Sequence, residues 1–347
     1  MEEQSNSNKT KSISRKAFLR CSGSVLAGSG LLALSGFLLH NRVEKAGSLS
    51  QAAQEDLLSA GVNDADFLSP YRLISAIETD RQIESLEISN GRIIVASNKE
   101  VTIYDEKGNP WNAFPVKDTV RDLAVDKDEI YVLYPTMVDV YGFNGILHRS
   151  WEACSDLSDY SAIAVRDDIV LVSDAQNKNI VKYNSQGGLD KFISSPNGFV
   201  IPSYAFDIVF AGDRFYCSNS GRHLVECYSL DGTYLSSFGE PGAQKGQFCG
   251  CCNPCHLTAT EQGDLITSEK GIPRVSCYAP DGSLRNVLLN AKMMGGGTLG
   301  REVRAEGQHV YVADARAVRI YRYDAQLAKN TSCSLCPVNC PLKTLNG

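Results

Sequence analysis

Ser173-Asp-Ala-Gln-Asn-Lys-Asn-Ile-Val-Lys-Tyr183 is a short polar turn that runs into an aliphatic-x-x-Tyr strand, and its ending recurs along the chain. The other copies are Val101-Thr-Ile-Tyr104, Val138-Asp-Val-Tyr141, Val225-Glu-Cys-Tyr228, Val275-Ser-Cys-Tyr278 and Ile320-Tyr-Arg-Tyr323. The tyrosines are 37, 42, 45, 50 and 45 residues apart. A glycine follows each of the first five by four positions: Gly108, Gly145, Gly187, Gly232 and Gly282. Ahead of each copy lies a second strand, centred on Ile94, Tyr131, Leu171, Tyr216, Ile266 and Tyr311. About seven residues earlier comes a third (LEI, LAV, IAV, DIV, LTA, EVR). Alternating apolar residues broken by turn glycines read as β-strands.

Short strands with a period near 45 predict an all-β, six-bladed β-propeller, one four-stranded blade per copy. The sixth copy has no final strand, because the chain passes directly into a cysteine-rich tail. Tyr71-Arg-Leu-Ile-Ser-Ala-Ile77 stands ahead of the first copy and is the segment expected to fill that place. Closing the ring in this way removes the free sheet edges of an open array. The expected organisation is a signal or anchor at 1–40, a helical or flexible stalk at 41–69, the propeller at 70–326 and a tail at 327–347.

Ser173-Asp174 to Tyr183 and Ala313-Asp314 to Tyr323 resemble NHL-type repeats, in which an Asp opens the hairpin and Arg-Val or Arg-Ile precedes the last strand, as in Arg274-Val275 and Arg319-Ile320. The resemblance implies the NHL-like propeller over roughly residues 70–326. It implies little about activity, since one fold hosts many functions.

The N-terminus reads as targeting sequence. Cys21 to Leu39 is an uncharged run of nineteen residues, long enough as a hydrophobic helix to reach roughly 28 Å, about one bilayer core. Ser14-Arg-Lys-Ala-Phe-Leu-Arg20 before it resembles the bacterial twin-arginine export signal, with Lys16 in the place of the second arginine. That resemblance implies cargo folded before export, often with a cofactor aboard. The expectation is an uncleaved N-terminal anchor in a bacterial cell membrane, with residues 41–347 on the exported, periplasmic side; a cleaved secretory signal is the alternative. The first twenty residues carry a net +3 against −6 for the whole chain, leaving −9 on the remainder. A body that acidic speaks against nucleic acid as a partner.

Seven of the twelve cysteines lie in two short clusters. One is Cys249-Gly-Cys251-Cys252-Asn-Pro-Cys255-His256, in the connection from the fourth blade to the fifth. The other, Cys333-Ser-Leu-Cys336-Pro-Val-Asn-Cys340-Pro341, lies within the last fifteen residues. Connections between blades open on one face near the axis, and Cys154 occupies the equivalent connection two blades earlier. If the tail folds over that face, eight thiols meet there. Cys217, Cys227 and Cys277 fall within predicted strands and read as small core residues. The tail resembles the end of the bacterial ferredoxin run, with Asn330 where its first cysteine belongs. By that resemblance a cysteine-ligated iron–sulfur cluster is expected, with further ligands from the 249–255 loop. Zinc with His256 as a nitrogen ligand, structural disulfides without a cofactor, and reactive redox thiols stand beside it.

The predicted mouth of the axial channel holds Glu84, Arg121, Ser161, Phe206, His256 and Arg301, and Arg274 of the Glu269-Lys-Gly-Ile-Pro-Arg274 turn opens on the same face. Arg121, Arg301 and Arg274 together form a candidate anion-binding funnel. Ser–His–Asp order, a phosphate-binding glycine loop and H-x-x-x-H spacing are not found, which gives little support to a hydrolase or to a propeller lactonase or lyase. Three functions are weighed: electron transfer or redox partnering through a cysteine-held cofactor; a non-catalytic binding propeller stapled by disulfides; and an enzyme acting on an anionic small molecule.

Overall fold

The computed structural model describes residues 68–296 and 300–330. The signal-like segment, all but the end of the proposed stalk, and Cys333, Cys336 and Cys340 lie outside the described residues. Among the described residues no helix is long and apolar enough to cross a membrane.

The chain is a six-bladed β-propeller, and its first strand, β1 (Tyr71–Glu78), belongs to the last blade. Blade one is β2 (Ser85–Ser89), β3 (Arg92–Ser97), β4 (Glu100–Tyr104) and β5 (Pro110–Pro115). Blade two is β6 (Asp122–Asp126), β7 (Glu129–Tyr134), β8 (Met137–Gly142) and β9 (Leu147–Glu152). Blade three is β10 (Tyr160–Arg166), β11 (Ile169–Asp174), β12 (Asn179–Tyr183) and β13 (Leu189–Ile193). Blade four is β14 (Ile208–Ala211), β15 (Arg214–Asn219), β16 (Leu224–Ser229) and β17 (Tyr234–Phe238). Blade five is β18 (His256–Ala259), β19 (Leu265–Glu269), β20 (Arg274–Tyr278) and β21 (Leu284–Asn290). Blade six is β22 (Val303–Glu306), β23 (His309–Ala313) and β24 (Ala317–Tyr323), and a short helix α1 (Ala325–Asn330) follows. Each sheet is an antiparallel meander from axis to rim. The expected closure is found: β1 pairs with β24, from Tyr71 opposite Tyr323 to Glu78 opposite Ala317.

Burial follows from stacking blades face to face. Second strands such as β3, β7 and β11 are buried along almost their whole length, because a neighbouring blade covers each face. The outermost strands β9 and β13 are mostly exposed. Six apolar clusters fill the six borders between blades. Cys217, Cys227 and Cys277 each belong to one of them and are buried core, as their strand positions imply.

The repeated glycine has a packing reason. Each of the five has φ between +78° and +88°, and a Cβ there would strike the last strand of the preceding blade. At Gly187 it would lie 2.5 Å from the Trp151 ring, and at Gly282 2.3 Å from the Phe238 Cβ. The turn therefore needs both a left-handed residue and one without a side chain.

Register corrects the sixth repeat. In blades one to five the first residue of the β3-type core pairs with the repeat tyrosine, as Ile93 with Tyr104 and Leu265 with Tyr278. In blade six the corresponding residue, Val310, pairs with Tyr321, which is fully buried. Tyr323, expected in that role, lies opposite Tyr71 and meets its ring edge-on at 5.8 Å. The slot before the tyrosine is then Ile320 rather than Arg322. It is buried in five blades, with Lys182 the exception, paired to Asp190 at 3.1 Å.

Candidate functional site: an axial cavity with a thiol rim

Corresponding positions of the six innermost strands face the channel in two layers. The upper layer is Ser85, Asp122, Ala162, Asp207, His256 and Glu302; two residues further along come Glu87, Ala124, Ala164, Val209, Thr258 and Arg304. Acids occupy the upper position in alternate blades, and each accepts a backbone N–H from the next blade. Asp122 accepts from Ile163 at 2.9 Å, Asp207 from Leu257 at 2.8 Å and Glu302 from Leu86 at 2.8 Å. Arg304 reaches up among them, 3.2 Å from Asp122, 2.9 Å from Glu302 and 3.0 Å from Glu87. One guanidinium does not offset so many buried carboxylates. Burial pushes Asp122 up to about 6 and Glu302 up to about 8, even though Arg304 pulls both down. The arrangement ties three blade borders together and holds a proton near neutrality.

Above this layer opens a cavity of about 310 Å³, lined among others by Glu84, Arg121, Tyr204, Cys255, His256 and Lys270. A second space of about 290 Å³ shares Glu84, His256, Gly300 and Glu302 with it and adds Arg301. The predicted mouth residues thus all line this region. The arginines, however, are already engaged. Arg121 lies 3.4 Å from Asp159, and Arg301 bonds Asp314. Arg274 is not in the cavity wall at all: buried with Glu269 at 2.8 Å, it donates to the Gln247 carbonyl and so anchors the cysteine loop from below. His256 faces the cavity 3.7 Å from Asp207; burial and the charges of Arg304 and Lys270 hold it below the ordinary imidazole range, and neutral.

The cysteine loop, residues 239–255, joins β17 to β18. Phe248 pins it, fully buried against Tyr278 at 6.0 Å and bonded through its N–H to the Glu240 carbonyl. Asn253 is the second pin. Its amide donates to the carbonyls of Cys249 (2.5 Å) and Lys270 (2.8 Å), and its Oδ1 accepts the Lys270 N–H at 2.9 Å. The Asn253–Pro254 peptide is cis. The Glu269–Arg274 turn and the cysteine loop, separate in sequence, are in this way one structure.

The four loop thiols point to different partners. Cys249 faces the Lys270 carbonyl at 3.4 Å, and Cys255 faces the Asn253 Oδ1 at 3.3 Å; burial raises both, Cys255 to about 12. Gly300 crosses so close to Cys255 that a Cβ would lie 2.9 Å from its sulfur. Cys251 is exposed, and its sulfur lies 3.1 Å from that of the buried Cys252. Ser203 donates to the Cys252 sulfur at 2.9 Å, and Lys270 Nζ donates to Ser203 at 3.1 Å. Burial alone would push Cys252 up, but hydrogen bonds from Lys270, Ser203 and Cys251, with the Lys270 charge, outweigh it and hold the thiol below its ordinary range. Cys251 is raised by the same contact and by burial. This is an electropositive setting, which favours the thiolate.

Cys154 stands apart. Its sulfur contacts the Tyr183 hydroxyl at 2.9 Å, which meets Tyr160 at 2.5 Å, between blades two and three. Among the described residues no three His, Cys, Asp or Glu side chains are grouped to hold a metal. Of the eight thiols expected to converge, five are described, and among these Cys251 and Cys252 form a close pair; Cys333, Cys336 and Cys340 lie outside the described residues. Ser203, Tyr204, Asn253 and Lys270 were not singled out as site residues by sequence. The acids were legible as the residue after the mouth position in alternate copies.

No family model matches the chain, and no curated protein matches it. Solved structures do. A Bacteroides thetaiotaomicron protein of unknown function is similar at 14% identity and TM-score 0.55, over 73% of this chain and 72% of that one. Virginiamycin B lyase from Staphylococcus aureus is similar at 10% identity and TM-score 0.53, over 73% and 99%. The Neurospora crassa Pan2 WD40 domain is similar at 7% identity and TM-score 0.51, over 73% and 95%. At such identities the likeness shows the β-propeller fold and nothing more about this chain.

Proposed function

We propose that this chain is a redox protein, an exported and membrane-tethered propeller that exchanges electrons through cysteines on its axial face with a partner docked over that face. The observation that carries the reading is the Cys251–Cys252 pair, whose buried member accepts the hydroxyl of Ser203, a cavity-lining residue that Lys270 contacts in turn. Thiolate, not thiol, is the reactive and the metal-binding form. The hydrophobic run 21–39 with its basic leader supports tethering and export.

A second reading is a cysteine-ligated iron–sulfur cluster, favoured by the ferredoxin-like spacing of Cys333, Cys336 and Cys340. The fit is partial. Cys249 and Cys255 turn to backbone and amide partners, and Cys154 is held by tyrosines, so of the loop only Cys251 and Cys252 are free to join the tail in such a set. A bound cluster would supply one-electron transfer.

The test is anaerobic purification of the full chain in detergent, with iron and acid-labile sulfide assays and thiol counting in reduced and oxidised samples. Iron-free protein whose axial-face thiols oxidise reversibly supports the first reading. Stoichiometric iron and sulfide supports the second. A metal-free protein whose thiol count never changes overturns both.

A further inference from the structure

Exposure divides the two adjacent cysteines. Cys251 is open to solvent, while Cys252 lies beneath it, out of solvent, with Ser203 and Lys270 arranged around its sulfur. The two sulfurs lie 3.1 Å apart, and a disulfide needs about 2.0 Å. A sulfur that a partner can reach thus touches one it cannot, and the hidden one accepts the Ser203 hydroxyl beside the Lys270 ammonium. Good leaving groups in thiol–disulfide exchange are those whose thiolates are stabilised.

We propose that Cys251 and Cys252 form a two-electron dithiol–disulfide couple in which Cys251 is the sulfur that meets the partner and Cys252 is the resolving and leaving sulfur. The partner is a solvent-accessible disulfide or dithiol. With a disulfide, the Cys251 thiol passes its proton to the touching Cys252 sulfur, the Cys251 thiolate bonds one partner sulfur, the partner S–S bond breaks, and the departing partner thiolate takes the proton from Cys252. The Cys252 thiolate then attacks Cys251; the mixed disulfide breaks, the Cys251–Cys252 bond forms, and the second partner thiolate takes a proton from water. Two electrons have passed from the pair to the partner. In reverse, a partner thiolate attacks the exposed Cys251 and expels Cys252, whose charge Ser203 and Lys270 receive.

Sequence adjacency favours an exchanging bond over a structural one. Neighbouring Cα atoms are about 3.8 Å apart, below the usual span for a disulfide, and bridges outside that span are the more easily reduced. Cys255 takes no part: its buried sulfur is turned to Asn253 and the Cys252 carbonyl.

This inference rests on the redox reading above, and the test separates the two. Full-length protein in detergent is equilibrated across a series of reduced and oxidised dithiothreitol, trapped with iodoacetamide, and mapped by non-reducing peptide mass spectrometry. Hydroxyethyl disulfide serves as the single-disulfide probe. A reversible Cys251–Cys252 bridge is expected, with Cys251 the first of the pair alkylated in the reduced wild type. Cys252→Ser should raise the trapped Cys251 adduct at least about tenfold, and Cys251→Ser should leave Cys252 without one. Reversible bridges from either cysteine to Cys333, Cys336 or Cys340, or an adduct on Cys252 first, overturn the assignment while the redox reading stands. No oxidation of any cysteine across the series overturns both. Since the wild-type alkylation order is read without a mutation, a variant that misfolds does not spare the proposal.

Discussion

The Asp207 carboxylate of blade four accepts the backbone N–H of Leu257 in blade five at 2.8 Å, and the same crossing bond recurs from blade two to three and from six to one. Asp207 also accepts the Ile208 N–H at 2.7 Å, so two buried donors depend on one side chain. Replacing it with alanine leaves both unsatisfied and is expected to destabilise the propeller by about 2 kcal/mol. Asp207→Asn keeps one acceptor and should lose less. Chemical denaturation of the two variants checks the order; equal stability of wild type and Asp207→Ala would remove the carboxylate's role as a tie between blades.

The carboxylates around Arg304 make stability depend on pH in a set direction. Glu302, pushed up to about 8 by burial, binds a proton more tightly folded than unfolded. Such a raised acid favours the fold at low pH, and that contribution declines as pH rises from near 4.5 through about 8, then levels off. Glu302→Gln retains an acceptor for the Leu86 N–H but does not titrate. The stability difference between wild type and Glu302→Gln should therefore move against wild type between pH 5 and pH 9. Denaturant midpoints at three pH values measure it, and a constant difference refutes the assignment.

Gly187 tests the packing rule behind the repeat. Alanine there would combine a φ of +78° with a Cβ 2.5 Å from the Trp151 ring, strain and overpacking that together are expected to remove about 3 kcal/mol. Trp151 should report the displacement as a shift in fluorescence. Gly212→Ala, which meets nothing within 4 Å at φ +58°, carries strain alone and should lose less.

The ring was legible because its signal is periodic: six tyrosines, five turn glycines and one spare strand ahead of them. Blade six was misread for a physical reason. Tyr321 and Tyr323 are two residues apart and lie on the same face of β24, so alternation cannot choose between them, and only pairing with Val310 does. Five of the six mouth residues were found because they keep their distance from the second strand; His256 is one position further along, in the layer of Asp122 and Asp207, and Cys255 takes the mouth position of blade five. Lys270 was not found, because its contact with Ser203 joins loops sixty-seven residues apart. Nor does sequence show that Arg121, Arg301 and Arg274 are each met by a carboxylate, Asp159 across a blade border, Asp314 and Glu269 within the same blade; a charge is legible, its partner is not.

Lys270 gives the sharpest check on the thiol site. Its hydrogen bonds and charge act against the burial that would otherwise raise Cys252, and Cys252 in turn helps raise Lys270. Lys270→Met removes the charge but keeps an unbranched side chain of similar length. The Cys252 thiol should then titrate at higher pH, and closure of the Cys251–Cys252 bond at pH 7 should slow by about three- to tenfold. The slowing should vanish at high pH, where the thiolate forms without help. Lys270→Arg, which restores a cation, should recover part of the rate. A purely structural role for Lys270 predicts a loss that does not depend on pH and no recovery with arginine. A stopped-flow pH profile of the reaction with hydroxyethyl disulfide separates these outcomes.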